Sequence, residues 1–312
     1  MKKVLFVALL LIICIVVCLF PVTQKHSLTI SANFENTGTQ VIHINNWKNW
    51  YPEIKNVYQK KPSDYHLIEN PSSNTDTILI PGKKIAIYPI APMSYSISEI
   101  SKNAVKNFSF SIYPSDVPHK MNLYIVQRKP FITTIFDKDN KDNPLYALKN
   151  YLEDPKELYG YNIEISEIRD PTIASTLLNI ADKDVFIKIA RAVSILTHYI
   201  QQKNLIKTGH ISVSYIPKGK DSLQLTVGIP VNGSADSTNN VKCLSLPAKG
   251  RVLVGTYSGK FSERNKIYQA MTRYLSDHTL SIPAQSFERY LNDSLPTSDS
   301  SEINIELDYP IY

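Results

Sequence analysis

The sequence predicts an α+β fold with an N-terminal membrane helix, an antiparallel domain of helices and strands, and a duplicated domain of βαββ units. Three observations lead to this prediction. The chain opens with an unbroken apolar run, short alternating runs separated by turn residues follow, and the last half repeats itself with an offset of 75 residues, as between Tyr199 and Tyr274. With 312 residues and 43% hydrophobic content, the chain is long enough for about two domains with their own cores.

The first element is the apolar run Val4–Phe20, which follows Lys2 and Lys3. A membrane-spanning helix needs roughly 17–25 apolar residues, and no small-residue cleavage site follows this run. We therefore expect an uncleaved single-pass anchor over residues 1–22. The two lysines predict a cytoplasmic N-terminus and an extracytoplasmic soluble part. A lipoprotein signal with a lipidated Cys18 stays open as the alternative.

The composition bears on partners and cofactors. The chain has 34 Lys and Arg against 28 Asp and Glu, a formal net charge of +6, but no Lys/Arg run of the kind that marks a nucleic-acid patch. Two of the three cysteines lie in the apolar run, so the rest of the chain cannot form an internal disulfide. The seven histidines lack metal-ligand spacing, and we find no P-loop or G-x-G-x-x-G. We expect no nucleic-acid partner, no metal and no cofactor.

Residues 27–158 show the order of one strand, short helices, several strands and a final helix. The first strand is predicted at "SLTISANF", and the later alternating runs include "DTILIPGKKIAIYPI" and "KMNLYIVQRKPFITTIF". The final helix is predicted from the spacing of Leu145, Leu148 and Leu152, and it is interrupted at Pro155.

The segment "INNWKNWYPEIKN" resembles the opening of START-like, polyketide-cyclase-type (SRPBCC) domains. In that family a Trp-rich segment precedes a proline just after the first helices, and Trp47, Trp50 and Pro52 match this pattern. The resemblance implies a helix-grip fold over 27–158, in which the final helix closes a curved sheet over an apolar cavity. From the residues alone, both tryptophans are best explained as core anchors.

The C-terminal part, 159–312, contains the internal repeat. The segment "LTHYIQQKNLIKTGHISVSYI" aligns with "MTRYLSDHTLSIPAQSFERYL", so that Tyr199 matches Tyr274 and Tyr215 matches Tyr290. Each copy is predicted as strand, helix, strand, strand, with opening strands at "YNIEISEI" and "GRVLVGTY". Two such units would cover one sheet face with both helices and leave a groove near their pseudo-twofold axis.

This duplication resembles the GyrI-like small-molecule-binding domain, which is also the effector-binding domain of some bacterial AraC- and MerR-type regulators. The matching motifs are "VGTYSGKF" before the second helix, "FERYLND" after it, and a terminal strand that ends near Pro-Ile. The resemblance covers essentially all of 159–312 and implies a small-molecule ligand in the groove. No helix-turn-helix accompanies it, so we do not expect a DNA-binding regulator.

Glu288 is the main candidate site residue, because the first copy has Val213 at the matching position. Strands alternate faces, so Glu288 and Tyr290 share one face of the sheet. The resemblance implies that this glutamate lies in the groove and recognises cationic or polar groups of a ligand. A half-buried carboxylate among aromatic rings favours a cation through charge pairing and cation–π attraction. A solvated surface position is the alternative reading.

Four more aromatic residues are candidate ligand contacts. Tyr257 and Phe261 flank "SGK", in the loop that by the resemblance opens the second helix beside the groove. Tyr215 and Tyr268 are weaker candidates from the surrounding strand and helix.

The sequence favours a membrane-anchored, non-catalytic module that binds a small cationic or aromatic molecule. The alternative is a hydrolase of electrophilic small molecules, with Glu288 as general base on a water. The sequence supplies no independent nucleophile beside Glu288, which weighs against catalysis. A third possibility is that both domains serve only in protein contacts.

Overall fold

A computed structural model describes residues 18–70, 75–131, 144–181, 184–220, 222–247 and 249–312. The chain divides between Asp154 and Pro155 into two compact parts, the N-terminal unit and the C-terminal unit. Each contains one antiparallel sheet with a few helices, so the predicted α+β class is confirmed. The predicted domain boundary at 158/159 stays a prediction.

The predicted membrane anchor lies almost wholly outside the described residues. Within the part of the chain that the structure describes, no helix is long and apolar enough to cross a membrane. The first strand begins at Pro21, inside the span 1–22 that was assigned to the anchor, and earlier than the strand predicted from Ser27. The reason is pairing with the last strand of the unit, which starts at the Pro21–Pro130 pair.

The N-terminal unit is a seven-stranded antiparallel sheet with helices inserted after the first strand and a helix at its end. The strand order across the sheet is β1-β7-β6-β5-β4-β3-β2. Its strands are β1 (Pro21–Ile30), β2 (His66–Ile68), β3 (Asp76–Ile80), β4 (Lys83–Ala91), β5 (Ser94–Ser101), β6 (Ala104–Pro114) and β7 (Met121–Pro130). Its helices are α1 (Phe34–Ile42), α2 (Trp47–Trp50), α3 (Pro52–Lys60) and α4 (Pro144–Glu153).

Both tryptophans of α2 are core residues, as the sequence predicts. Trp47 is fully buried and packs its ring against Tyr51 and Phe110, with centroids 5.5 and 5.6 Å away. The indole nitrogens of Trp47 and Trp50 donate to backbone carbonyls of α1, so their polar atoms are satisfied in the core. Burial of these rings removes a large apolar area from water and stabilises the unit.

The C-terminal unit is an eight-stranded antiparallel sheet with the order β12-β9-β11-β10-β14-β15-β13-β8. Its strands are β8 (Ile163–Glu167), β9 (Thr172–Ala181), β10 (Ser212–Pro217), β11 (Ser222–Pro230), β12 (Lys242–Ser245), β13 (Arg251–Lys260), β14 (Phe287–Tyr290) and β15 (Glu302–Pro310). Its helices are α5 (Pro155–Tyr159), α6 (Val185–Gln202) and α7 (Asn265–Asp277).

The two βαββ copies are present, but the opening strand of the first copy was predicted wrongly. The first copy is β9-α6-β10-β11 and the second is β13-α7-β14-β15, because β9 pairs with β11 as β13 pairs with β15. The predicted opening strand, β8, pairs instead with β13 of the second copy. Reciprocally, β12 precedes the second copy and pairs with β9 of the first. The strand that precedes each copy therefore forms the edge of the sheet beside the other copy.

The helices cover one face of this sheet and leave its centre between them. Helix α6 packs on β9 and β11, and α7 packs on β13. The approach of α7 is close, because a side chain added at Gly255 would lie 2.6 Å from the Met271 sulfur. The central strands β10 and β14 meet at the Val213–Glu288 pair, where the two copies join.

Candidate cation-binding site

Glu288 lies at the centre of the helix-covered face. Its neighbours in register are Val213 on β10 and Leu307 on β15, which are both fully buried. The side chain of Glu288 is itself 0% exposed. The expectation of a half-buried or solvated carboxylate is therefore wrong, because the two helices and the surrounding rings exclude water from it.

Three donors surround this carboxylate. Arg264 Nε donates to Oε1 over 3.0 Å, and the Tyr268 hydroxyl donates to the same oxygen over 2.8 Å. The Tyr290 hydroxyl donates to Oε2 over 2.7 Å, and its oxygen lies 3.0 Å from the Tyr215 hydroxyl. A buried carboxylate is tolerable only with such partners, because its desolvation is costly.

Burial and these partners act in opposite directions on the ionisation of Glu288. Burial raises the pKa of Glu288 above its ordinary value, while the Arg264 charge and the hydrogen bonds from Tyr290, Tyr268 and Arg264 lower it. The net pKa is raised. Burial also raises the pKa values of Tyr215, Tyr268 and Tyr290, so these hydroxyls stay protonated and able to donate near neutral pH.

The Arg264 guanidinium occupies an aromatic cage. Its Cζ lies 3.5 Å from the ring centroid of Phe261 and 5.1 Å from that of Tyr215, and Nη1 donates to the Phe261 carbonyl over 3.0 Å. Such distances are those of cation–π contacts. The Arg264 side chain is 24% exposed, so the cage has one side toward solvent.

Local sequence places these groups. A single 3-10 turn, Phe261–Glu263, ends β13 and leads to α7, and Arg264 is the residue between them. Tyr268 follows one helical turn after Arg264, so both reach the same side of α7. Tyr215 and Tyr290 are placed two residues after the joined pair Val213–Glu288 on their strands, and therefore share its face.

Five of the six predicted site residues come together here. They are Glu288, Tyr290, Phe261, Tyr268 and Tyr215. Tyr257 does not join them: its hydroxyl donates to the Lys260 carbonyl over 2.7 Å, which ties down the end of β13. Glu288 contacts Tyr290 instead, because Tyr257 lies on β13, which β15 separates from β14.

Arg264 is the residue of this cluster that could not be singled out from the sequence. It lies in "SERNK", where it reads as an ordinary solvated charge at a helix start. One signal could have found it: a carboxylate predicted on a buried face needs a cation within reach, and Arg264 follows the loop predicted to lie beside the groove.

The arrangement can hold a delocalised cation between a carboxylate and aromatic rings. It offers no metal site, since the described residues contain no group of three or more His, Cys, Asp or Glu side chains arranged to hold a metal ion. Further rings extend the cage, with Phe186 5.2 Å from Phe261 and Tyr309 6.4 Å from Tyr268 between centroids.

Comparisons with known proteins found similarity in three-dimensional structure. No family model and no curated protein matches the chain. The EcmrR C-terminal domain is 16% identical, with 49% of this chain and 98% of that chain covered and a TM-score of 0.41. SAV2435, solved bound to tetraphenylphosphonium, is 16% identical, with 48% and 94% covered and a TM-score of 0.30. The di-domain ARO/CYC BexL is 12% identical, with 93% and 85% covered and a TM-score of 0.33.

These similarities concern folds alone, and the function proposed below rests on the side chains of this chain. The evidence for the two folds is the strand order of the N-terminal unit and the duplicated βαββ topology of the C-terminal unit. The order of helices and strands in each unit agrees with the two folds that the sequence predicts, a helix-grip domain and a duplicated βαββ domain.

Proposed function

We propose that the C-terminal unit binds a small aromatic or apolar organic cation at Glu288, and that Arg264 occupies the cation position when no ligand is bound. One observation carries the proposal. The Arg264 guanidinium lies 3.0 Å from a fully buried carboxylate and 3.5 Å from the Phe261 ring, which is the environment that an organic cation requires.

The chemistry of arginine indicates the class of ligand. A guanidinium is planar, delocalised and weakly hydrated compared with an ammonium ion. A site that accommodates it between a carboxylate and rings suits other delocalised cations with apolar bodies. Small, strongly hydrated cations lose more solvation on entry and are therefore disfavoured.

Arg264 can be displaced because of its position in the chain and its partial exposure. The residue stands between the 3-10 turn and α7, and its side chain is already 24% exposed. The guanidinium can move into water while a ligand takes its place over Phe261. The ligand then replaces the ion pair to Glu288, so the buried carboxylate always has a cationic partner.

Hydrolysis with Glu288 as general base is the second candidate function. The raised pKa of Glu288 favours it, because a base works best with a pKa near the working pH. Against it, both carboxylate oxygens already accept hydrogen bonds from side chains, and the Glu288 side chain is 0% exposed. Binding without catalysis is therefore the function that we propose.

Membrane attachment is a separate proposal that rests on the sequence. We propose that Val4–Phe20 anchors the chain and that both units lie outside the cytoplasm, because Lys2 and Lys3 precede the apolar run. A reporter fused after Tyr312 should be active only outside the cytoplasm. Activity of the fusion inside the cytoplasm would contradict this topology.

Titration with tetraphenylphosphonium tests the binding proposal directly. The probe has four rings around a permanent positive charge and cannot lose a proton. We expect saturable binding by the parent protein in calorimetry and about 10–150-fold weaker binding by Glu288→Gln, since a contact to a charged group contributes about 1.5–3 kcal/mol. Equal affinity of the two proteins would overturn the proposal. Lys266→Gln, at an exposed position of α7, is the control for a changed charge elsewhere.

A further inference from the structure

The opposite face of the C-terminal sheet contains a cavity of about 780 Å³. Its floor is formed by the residues that alternate with those of the helix-covered face along the central strands, such as Ser212 and Ser214 on β10 and Thr226 on β11. All its lining residues belong to the C-terminal unit. Its volume is in the range of sites for small organic ligands, about 300–1,000 Å³.

The floor of this cavity is chemically neutral. The hydroxyl of Ser212 donates to the Gly228 carbonyl over 3.3 Å, and that of Ser214 donates to the Ser286 carbonyl over 2.7 Å. Because their protons are used by the backbone, these serines present little free donor capacity to the cavity. The floor therefore suits an apolar body rather than a strongly polar one.

A second cavity, of about 710 Å³, adjoins the first at the edge of β9 beside α6. The two cavities share four lining residues, so they form one continuous depression: Ser175, Leu177, Thr226 and Leu244. Leu177 and Leu244 are 56% and 44% exposed, which leaves apolar surface in contact with water at the junction. These two leucines offer apolar contact to a ligand that extends from one cavity to the other.

The charged residues that line these two cavities are all basic. No Asp or Glu lines either cavity, while Lys188, Arg191 and Lys242 line the second and Arg251 lines the first. Within the described ranges none of these four cations forms an ion pair with another side chain. The polarity is the reverse of the cation site on the other face, where a carboxylate is the central group.

We propose that this depression binds an amphiphile with one anionic group, its apolar body in the 780 Å³ cavity and its carboxylate or phosphate beside Lys188, Arg191 and Lys242. Both head groups share the same chemistry of recognition, which is charge-assisted hydrogen bonding to ammonium and guanidinium groups. The 780 Å³ cavity lies on the face of β10 opposite the cation site, and neither cavity is lined by a residue of that site.

Fluorescence titration of the full chain with 11-(dansylamino)undecanoic acid tests the proposal, with its methyl ester as a neutral probe of the same body. We expect the acid to bind at least tenfold more tightly than the ester. The double variant Lys188→Gln/Arg191→Gln should abolish this preference and leave ester binding unchanged. Leu177→Asp, at an exposed junction position, should weaken both probes. Competition by dodecanoate and by dodecyl phosphate then identifies the preferred head group.

Two controls separate this site from its alternatives. Glu288→Gln should leave binding of the acid unchanged, so this test can succeed or fail independently of the cation site. Equal binding of acid and ester, or loss of acid binding in Glu288→Gln, would overturn the proposal. So would binding that requires phosphatidylglycerol vesicles and is unaffected by Leu177→Asp, because the charges would then serve a membrane surface.

Discussion

The two copies of the repeat carry different residues at equivalent positions around the same centre. Arg264 and Glu288 of the second copy correspond, 75 residues earlier, to Ile189 and Val213 of the first. Both residues of the first copy are fully buried. An ion pair in one copy thus stands where the other copy has an apolar pair. The fold accepts the apolar pair, so the charged pair is not needed to form it.

The aromatic residues, in contrast, are the same in both copies. Phe186 corresponds to Phe261 and Tyr215 to Tyr290. The members of each pair meet across the pseudo-twofold axis, with the phenyl centroids 5.2 Å apart and the tyrosine hydroxyl oxygens 3.0 Å apart. The duplication therefore builds a symmetric aromatic cage, and the second copy alone places charge in it. Buried ion pairs rarely stabilise a fold more than well-packed apolar residues do, which supports a role in ligand binding.

The largest effect is expected when the first copy is given the charge of the second. Val213→Glu would place a second carboxylate directly opposite Glu288, without an arginine at position 189 to pair with it. We expect a loss of unfolding free energy of about 4 kcal/mol or more at pH 7, measured by urea denaturation. The variant should gain no second tetraphenylphosphonium site. A stable variant that binds two tetraphenylphosphonium ions per chain would show that the first copy can form the same site as the second, which would contradict this comparison.

Conversion of the second copy toward the first should have the next largest effect. Arg264→Ile leaves the buried carboxylate with tyrosine donors alone, and we expect it to lower the unfolding free energy by about 3 kcal/mol. Adding Glu288→Val should restore most of that loss, because it recreates the Ile189–Val213 pair of the first copy. Strictly additive losses in the double variant would show that the two side chains are not coupled.

The pH dependence of cation binding should report the ionisation of Glu288. Because the pKa of Glu288 is raised by burial, its carboxylate takes up a proton at a higher pH than a solvated glutamate does. Affinity for tetraphenylphosphonium, which does not titrate, should fall as the pH drops through that raised pKa and should level off above it. Calorimetry from pH 8 to pH 4.5 would measure the midpoint. The same titration of Glu288→Gln should be flat.

Two tyrosine substitutions provide the smallest and most selective comparison. Tyr268→Phe removes a donor to Glu288, and we expect an affinity loss for the cation of about 1 kcal/mol, or roughly fivefold. Tyr257→Phe removes only the bond to the Lys260 carbonyl, so it should leave affinity unchanged. A larger effect on binding from Tyr257→Phe would restore this residue to the site.

Much of the fold and most of the site could be predicted from local pattern. The repeat aligned Tyr215 with Tyr290 and singled out Glu288, because the alternation of strand residues and the offset of 75 residues can both be counted directly in the sequence. The exchange of β8 and β12 between copies could not be predicted, since edge pairing depends on contacts between distant segments. Arg264 was missed for the same reason: its partner is 24 residues away, and its charge alone is typical of a helix surface.

The central claim is that Arg264 occupies the place of a ligand cation, and Arg264→Ala tests it most directly. This change opens the space over Phe261 and leaves Glu288 without its internal cation. We expect the variant to bind tetraphenylphosphonium at least tenfold more tightly than the parent protein in calorimetry, while Lys266→Ala, a charge-matched control on the exposed side of α7, binds as the parent does. Unchanged or weaker binding by Arg264→Ala would show that the arginine does not compete with a ligand, and would contradict the account.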